Sequence, residues 1–308
     1  MRTVSLLPSA SEIVCALGLG GQLVAVSHEC DYPAEVTRLP RITSSILGAE
    51  LDPARIDAAV VKAVQAGEAL YRIDGDMLRD LAPDLILTQG VCDVCAVSQG
   101  TVAETLTFLP EVVGNRAQTL TLSAGTFAGI LRDMRSVARA AGVPEAATSV
   151  CQELENRWER LRTTRAATGL RVLMLEWPDP PFYGGHWVPE MVEVAGAQPL
   201  LGQTGQDSER VSWDTVKDAD PDIIVVTACG YGLEANAEFA QGLYTHPETR
   251  TLRAVQREQV WACDANSYFS RPGPRTVRGA EMLRAIFTGE GRLAPSEARR
   301  IKATTQAA

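Results

Sequence analysis

The feature that most restricts the fold is a near-repeat. Ala82-Pro83-Asp84-Leu85-Ile86-Leu87-Thr88 and Asp220-Pro221-Asp222-Ile223-Ile224-Val225-Val226-Thr227 share one pattern, a Pro-Asp turn that feeds a short apolar run. Such a run, bounded by turn residues, reads as a strand buried on both faces. A sheet of such strands needs helices to cover it, so each copy predicts an α/β layer with a largely parallel sheet. One copy lies in each half of the chain, which predicts two similar lobes.

The surrounding segments fit that plan. Thr3-Val4-Ser5-Leu6-Leu7 reads as a first strand running into Pro8. Ser9-Ala10-Ser11-Glu12 has capping-box spacing, and Gly18, Gly20 and Gly21 end the helix that follows. A strand is expected at 23–26, and helices near 52–66 and just before Pro83. In the second half, strands are expected at 171–175 and 259–262, with helices over 189–194 and 274–287. Between 123 and 168 strand signals vanish. Phe127, Ile130, Leu131, Met134 and Val137 share a helical face, and the pattern resumes through Val150, Leu154, Trp158 and Leu161. The expectation is one long rigid helix, bent or interrupted near Pro144. The predicted organisation is an amino-terminal lobe 1–122, a connecting helix 123–168, a carboxyl-terminal lobe 169–290 and a fraying polar tail 291–308.

Composition excludes some functions. A net charge of −9 opposes non-specific binding to nucleic acid or anionic membrane. Met1-Arg2 leads at once into the first strand, so the chain as it stands is expected in the cytoplasm, and periplasmic or surface-anchored only with an upstream start. Seven cysteines, an odd number, do not read as a disulfide framework, and a reducing compartment fits them.

In open α/β sheets ligands sit beyond the carboxyl ends of the strands. The segments expected there hold the unusual residues. Residues 176–187 form an aromatic and proline-rich loop with Trp177, Phe182, His186 and Trp187. Rigid flat rings suit a large, flat, mostly apolar ligand, although the same residues also suit a cluster packed under a loop. Tyr268, Phe269, Arg271 and Arg275 form a second such segment, where guanidinium groups meet ligand oxygens or simply close a surface turn. Pro8, Ser9, Tyr32 and Gln89 are candidate contacts from the first lobe.

The cysteines leave three readings open. Cys92-Asp93-Val94-Cys95, with His28, Cys30 and Cys229 at the same expected edge, suits zinc, iron or an iron–sulfur cluster. The same cysteines also read as small buried apolar residues, and the C-x-x-C pair as a redox dithiol. His28 either reaches a metal or fixes its own loop. No nucleophile elbow, zincin helix or phosphate-binding loop occurs, which favours binding over catalysis.

Val4-Ser5-Leu6-Leu7-Pro8-Ser9-Ala10-Ser11-Glu12-Ile13, Asp31-Tyr32-Pro33, Trp187-Val188-Pro189-Glu190-Met191 and Phe269-Ser270-Arg271-Pro272-Gly273-Pro274-Arg275 resemble periplasmic-type receptors for cobalamin and ferric siderophores, the class III substrate-binding proteins. The likeness runs from residue 2 to about 290. It implies an α/β fold of two Rossmann-like lobes joined by a long backbone helix, with a ligand held non-catalytically between them. It implies cobalamin or a related corrinoid as that ligand, for uptake, delivery or sensing, by a monomer. It also implies docking onto ABC transporter membrane subunits through one acidic residue per lobe. The matching positions are Asp76 and Asp214, each Asp where the better-known receptors carry Glu. A metal-, haem- or iron–sulfur-binding protein is the alternative expectation.

Overall fold

The computed structural model describes residues 1–45, 53–66, 70–90, 117–164 and 167–303. The chain divides into two compact units, Met1–Ala124 with Ala128–Glu153, and Gly125–Phe127 with Leu154–Ala308.

The first unit contains β1 (Thr3–Ser5), β2 (Leu23–Val26), an antiparallel pair of β3 (Thr43–Ser45) and β4 (Tyr71–Ile73), then β5 (Leu85–Gln89) and β6 (Gln118–Leu122). Its main sheet has the order β2-β1-β5-β6, and every pairing is parallel. Val4, Leu6, Ala25, Ile42, Leu78 and Ile86 form a core on this sheet. The strand order turns back between β1 and β5, so a crevice at their carboxyl ends faces Pro8 and Gln89.

The helix Pro8–Ala16 starts one residue earlier than the capping-box reading allows. Leu7 is the N-cap, with no side-chain cap, and Pro8 opens the first turn. Its fixed φ and missing N–H suit that position, so Ser9, Ser11 and Glu12 lie inside the helix and are buried. Strand β1 accordingly stops at Ser5. The expected long connector is two helices, Phe127–Ala140 and Ala146–Thr164. Gly142, at φ +75°, ends the first. Its N–H donates to Arg139 O and that of Val143 to Ala138 O, the paired bonds of a Schellman stop.

The second unit contains β7 (Arg171–Pro178), β8 (Pro181–Tyr183), β9 (Gln198–Pro199), β10 (Glu209–Arg210), β11 (Ile223–Val226), β12 (Val260–Cys263) and β13 (Ala298–Ile301). The order is β10-β8-β7-β11-β12-β13, with β9 also paired to β7. β7, β11 and β12 are parallel, while β8, β10 and β13 join antiparallel. Leu173, Leu175, Ile224, Val226, Val260 and Ala262 bury one face against the helices Trp213–Ala219 and Leu233–Gly242.

The tail expected to fray instead supplies β13. Ala298 and Ile301 are buried, and all four of its residues pair with β12. Glu297, just ahead of it, is held by two bonds from Arg278, at 2.8 and 2.6 Å. That long-range ion pair anchors a segment whose local sequence looks like a tail.

The two near-repeats are strands β5 and β11, each entered from a short helix. The first helix, Gly75–Leu81, ends at Ala82 and the second, Trp213–Ala219, at Asp220; both caps are left-handed, with φ of 41° and 46°. The residue ahead of a proline is kept out of the helical region, which stops each helix there. Asp84 and Asp222 then accept from the backbone N–H of Arg2 and Arg171, at 2.7 and 2.9 Å. Their own N–H groups donate to the carbonyls of the same arginines, both at 2.8 Å. The Arg2 and Arg171 side chains reach the last helical carbonyls, Leu81 O and Ala219 O. One clamp thus sets strand register and caps a helix in each unit.

Candidate functional site

In the second unit, the strand order turns back between β7 and β11. The predicted aromatic loop after β7 is mostly a β-hairpin. β7 extends through Trp177 to Pro178, and β8 returns antiparallel from Pro181. Trp177 lies opposite Phe182, and Phe182 opposite Arg210, so the three side chains form a row on one face. The Arg210 guanidinium lies 5.5 Å from the Phe182 ring centre, and the Trp177 ring is 5.8 Å from that of Tyr231. Trp177 and Phe182 are only half-buried. The Trp177 indole N–H is buried with no hydrogen-bond partner among the described residues. A buried donor without an acceptor is costly, and a ligand oxygen would relieve it.

Buried polar groups hold this rim in place. Asn236 accepts from Ala228 N at 2.7 Å and donates to the carbonyls of Tyr231 and Gly232. Cys229 N donates to Glu176 O, Asn266 N to Tyr231 O and Gly230 N to the Ser270 hydroxyl. The loops after β7, β11 and β12 are therefore tied to one another.

Several predicted contacts turn inward. Trp187 and Phe269 are 5% and 3% exposed, and the Trp187 indole donates to Phe269 O at 3.0 Å. Neither ring keeps an open face for a ligand. Arg271 is also buried, and its guanidinium donates to Asn266 Oδ1 at 2.8 Å. Tyr268 remains half-buried at the rim, with the Arg275 guanidinium 5.7 Å from its ring centre. His186 takes a left-handed backbone, φ +53°, and bonds through its main chain to Gln206 and Gly205. Burial lowers its imidazole pKa, against a smaller opposing effect of Asp207, 3.6 Å away.

On the first unit, Pro8 and Gln89 are half-buried at the crevice, Ser9 is buried and Tyr32 is exposed. His28 lies in the turn after β2, with Nδ1 2.7 Å from the Thr43 hydroxyl. Burial, aided by the Arg41 charge, lowers its pKa. Cys30 is buried with its sulfur 3.1 Å from the Ser11 hydroxyl, and Cys229 is half-buried. Cys92 and Cys95 lie outside the described residues. Among the described residues no three His, Cys, Asp or Glu side chains stand together as a metal site.

Asp76 and Asp214 occupy equivalent places. Each is in the first turn of its short helix, beside an N-cap formed by Asp74 or Ser212. Their side chains are 87% and 83% exposed, and each pairs with a cation one turn on, Arg79 or Lys217.

Sequence reasoning missed Tyr231 as a partner of Trp177, Asn236 as the staple and Arg210 beside Phe182. Only cross-strand register and strand order bring these together, and neither has a local signal.

A family model described as periplasmic binding protein matches residues 4–267. A vitamin B12-binding protein of Vibrio cholerae is 25% identical over 287 residues, covering 92% of this chain and 87% of the relative. A substrate-binding lipoprotein of an uncharacterized ABC transporter in Bacillus subtilis is 23% identical, covering 92% and 78%. The periplasmic vitamin B12 binding protein structure from V. cholerae superposes with a TM-score of 0.67 at 22% identity, over 93% of this chain and 96% of that one. A periplasmic heme-binding protein from Roseiflexus gives 0.69 at 23% identity, over 94% and 98%. The α/β fold is that of the class III binding proteins. These relatives are periplasmic or lipoproteins, which overturns the cytoplasmic placement expected from the amino terminus. The residues that build a fold carry no address, so reading location from the first strand was unsound.

Proposed function

The chain belongs to the periplasmic binding protein family, and from that premise we propose that it captures a corrinoid of the cobalamin type. It is a substrate-binding protein of the kind that takes up B12, heme or siderophores, and not an enzyme. The observation that carries the corrinoid reading is the end-to-end match to vitamin B12-binding relatives. The half-buried row of Trp177, Phe182 and Tyr231 supports it, because a corrin ring is large, flat and largely apolar. Trp177 donates its unpaired N–H to an amide oxygen of the ligand rim. Tyr268, Tyr32, Gln89 and Pro8 supply further contact. Trp187, Phe269 and Arg271 shape the rim from behind. Asp76 and Asp214 meet cationic side chains on transporter membrane subunits, since both carboxylates are exposed and similarly mounted.

Heme is the second reading, favoured by the fold likeness to heme-binding proteins. Isothermal titration of the purified protein with hydroxocobalamin, cobinamide and hemin separates the two. Saturable one-to-one binding of the corrinoids at micromolar affinity or tighter is expected, and binding of hemin alone would replace cobalamin by heme. Trp177→Ala should weaken corrinoid binding about tenfold, or ~1.4 kcal/mol. Unchanged affinity removes Trp177 from the site.

A further inference from the structure

His28 is held in one orientation by a turn with little freedom. Cys30 N donates to Ser27 O at 3.1 Å, closing the turn. The Arg41 guanidinium donates to the carbonyls of Ser27 and Cys30, at 2.9 and 2.6 Å. The Tyr71 ring centre lies 5.8 Å from the imidazole, tilted by 43°. The turn follows the carboxyl end of β2, beside the crevice strand β1.

The hydrogen bonds around Thr43 fix which ring nitrogen carries the proton. The Thr43 hydroxyl donates its one proton to Ser27 Oγ at 3.1 Å. It accepts from His28 N at 3.0 Å. Its remaining contact, 2.7 Å to Nδ1, is left without a proton of its own to give, so Nδ1–H is the donor. The neutral ring then carries a bare lone pair on Nε2. Burial and the Arg41 charge both favour that neutral form. No described residue bonds to Nε2. An imidazole fixed through Nδ1–H to a neighbouring oxygen, with Nε2 free, is the arrangement that metal-binding histidines adopt.

We propose that His28 Nε2 coordinates the metal at the centre of the bound macrocycle, with Thr43 as the orienting partner. This rests on the corrinoid reading above. For a Co(III) corrinoid carrying water on its open face, the Co–O bond breaks, water leaves with its electron pair, and the Nε2 lone pair forms a Co–N bond. The oxidation state does not change, and no proton transfer is needed.

The test is visible spectroscopy of the full chain titrated with aquocobalamin and with cyanocobalamin, whose cyanide already fills that position. Binding of aquocobalamin should shift the corrin bands, as replacement of oxygen by nitrogen does, while bound cyanocobalamin keeps its free spectrum. His28→Asn keeps a donor toward Thr43 and removes Nε2; it should bind aquocobalamin without the shift and at least tenfold more weakly. Circular dichroism confirms that the variant is folded, and His28→Ala serves as a second variant. Aquocobalamin binding with no shift, or a shift that survives both substitutions, overturns the coordination and leaves the corrinoid reading standing. Failure of both corrinoids to bind overturns both.

Discussion

The two helix-to-strand clamps use one backbone device with different reinforcement. In the first unit, Asp84 is exposed, and Ala82 holds the left-handed cap with no side chain to engage. In the second, Asp220 holds that cap, and its carboxylate lies 2.9 Å from the Arg253 guanidinium. Asp222 meets the same guanidinium at 2.9 Å, and Arg253 also donates to Asp220 O. The first clamp is two backbone bonds and one arginine. The second is a half-buried network of two arginines and two aspartates. The backbone geometry is therefore set by the Pro-Asp turn, and the side chains decide only how firmly it is held.

The largest effect expected from that difference is at the paired aspartates. Asp222→Ala removes a strand-register bond and leaves Arg253 with one partner, and should cost about 2 kcal/mol. Asp84→Ala, at an exposed site, should cost about 1 kcal/mol or less. Urea denaturation of both variants measures this, and equal losses would mean that Arg253 adds nothing to the second clamp.

The caps give a smaller contrast of opposite sign. Ala82→Gly relieves a left-handed alanine and should stabilise by about 0.5–1 kcal/mol. Asp220→Gly gains the same relief but loses the Arg253 pair, so its net change should be near zero or unfavourable. A gain of equal size at both positions would show the ion pair to be inert.

The smallest effect on stability is expected at the helix starts. Asp76→Ala and Asp214→Ala should each shift stability by less than about 0.5 kcal/mol, because both groups are largely exposed. Corrinoid uptake through the cognate transporter should fall for each while corrinoid affinity stays the same. Normal uptake by the double variant would remove both residues from docking.

The strands that carry the near-repeat were legible because burial on both faces forces a continuous apolar run, and the turn before it is written in Pro and Asp. The rim was legible only as a set of residue types. Trp177 and Trp187 look alike in sequence, yet one keeps a half-open face with an unpaired N–H and the other is buried on Phe269 O. Nothing local separates them. Arg271, read as a ligand contact, is instead held by Asn266 within the same loop. The capping-box reading failed through a local competitor, since Pro8 can open a helix without any side-chain cap.

The sequence alone determined the α/β class, the placing of a buried strand in each half and the helical stretch between them. Periodicity and turn chemistry are local, and a single chain displays them. Tertiary structure decided which aromatic rings face the rim, that the presumed tail closes the second sheet as β13, and that Thr43 hands His28 its tautomer. Each of those depends on which distant backbone arrives alongside, through strand register, ion pairing or a shared hydroxyl, and no local pattern encodes that.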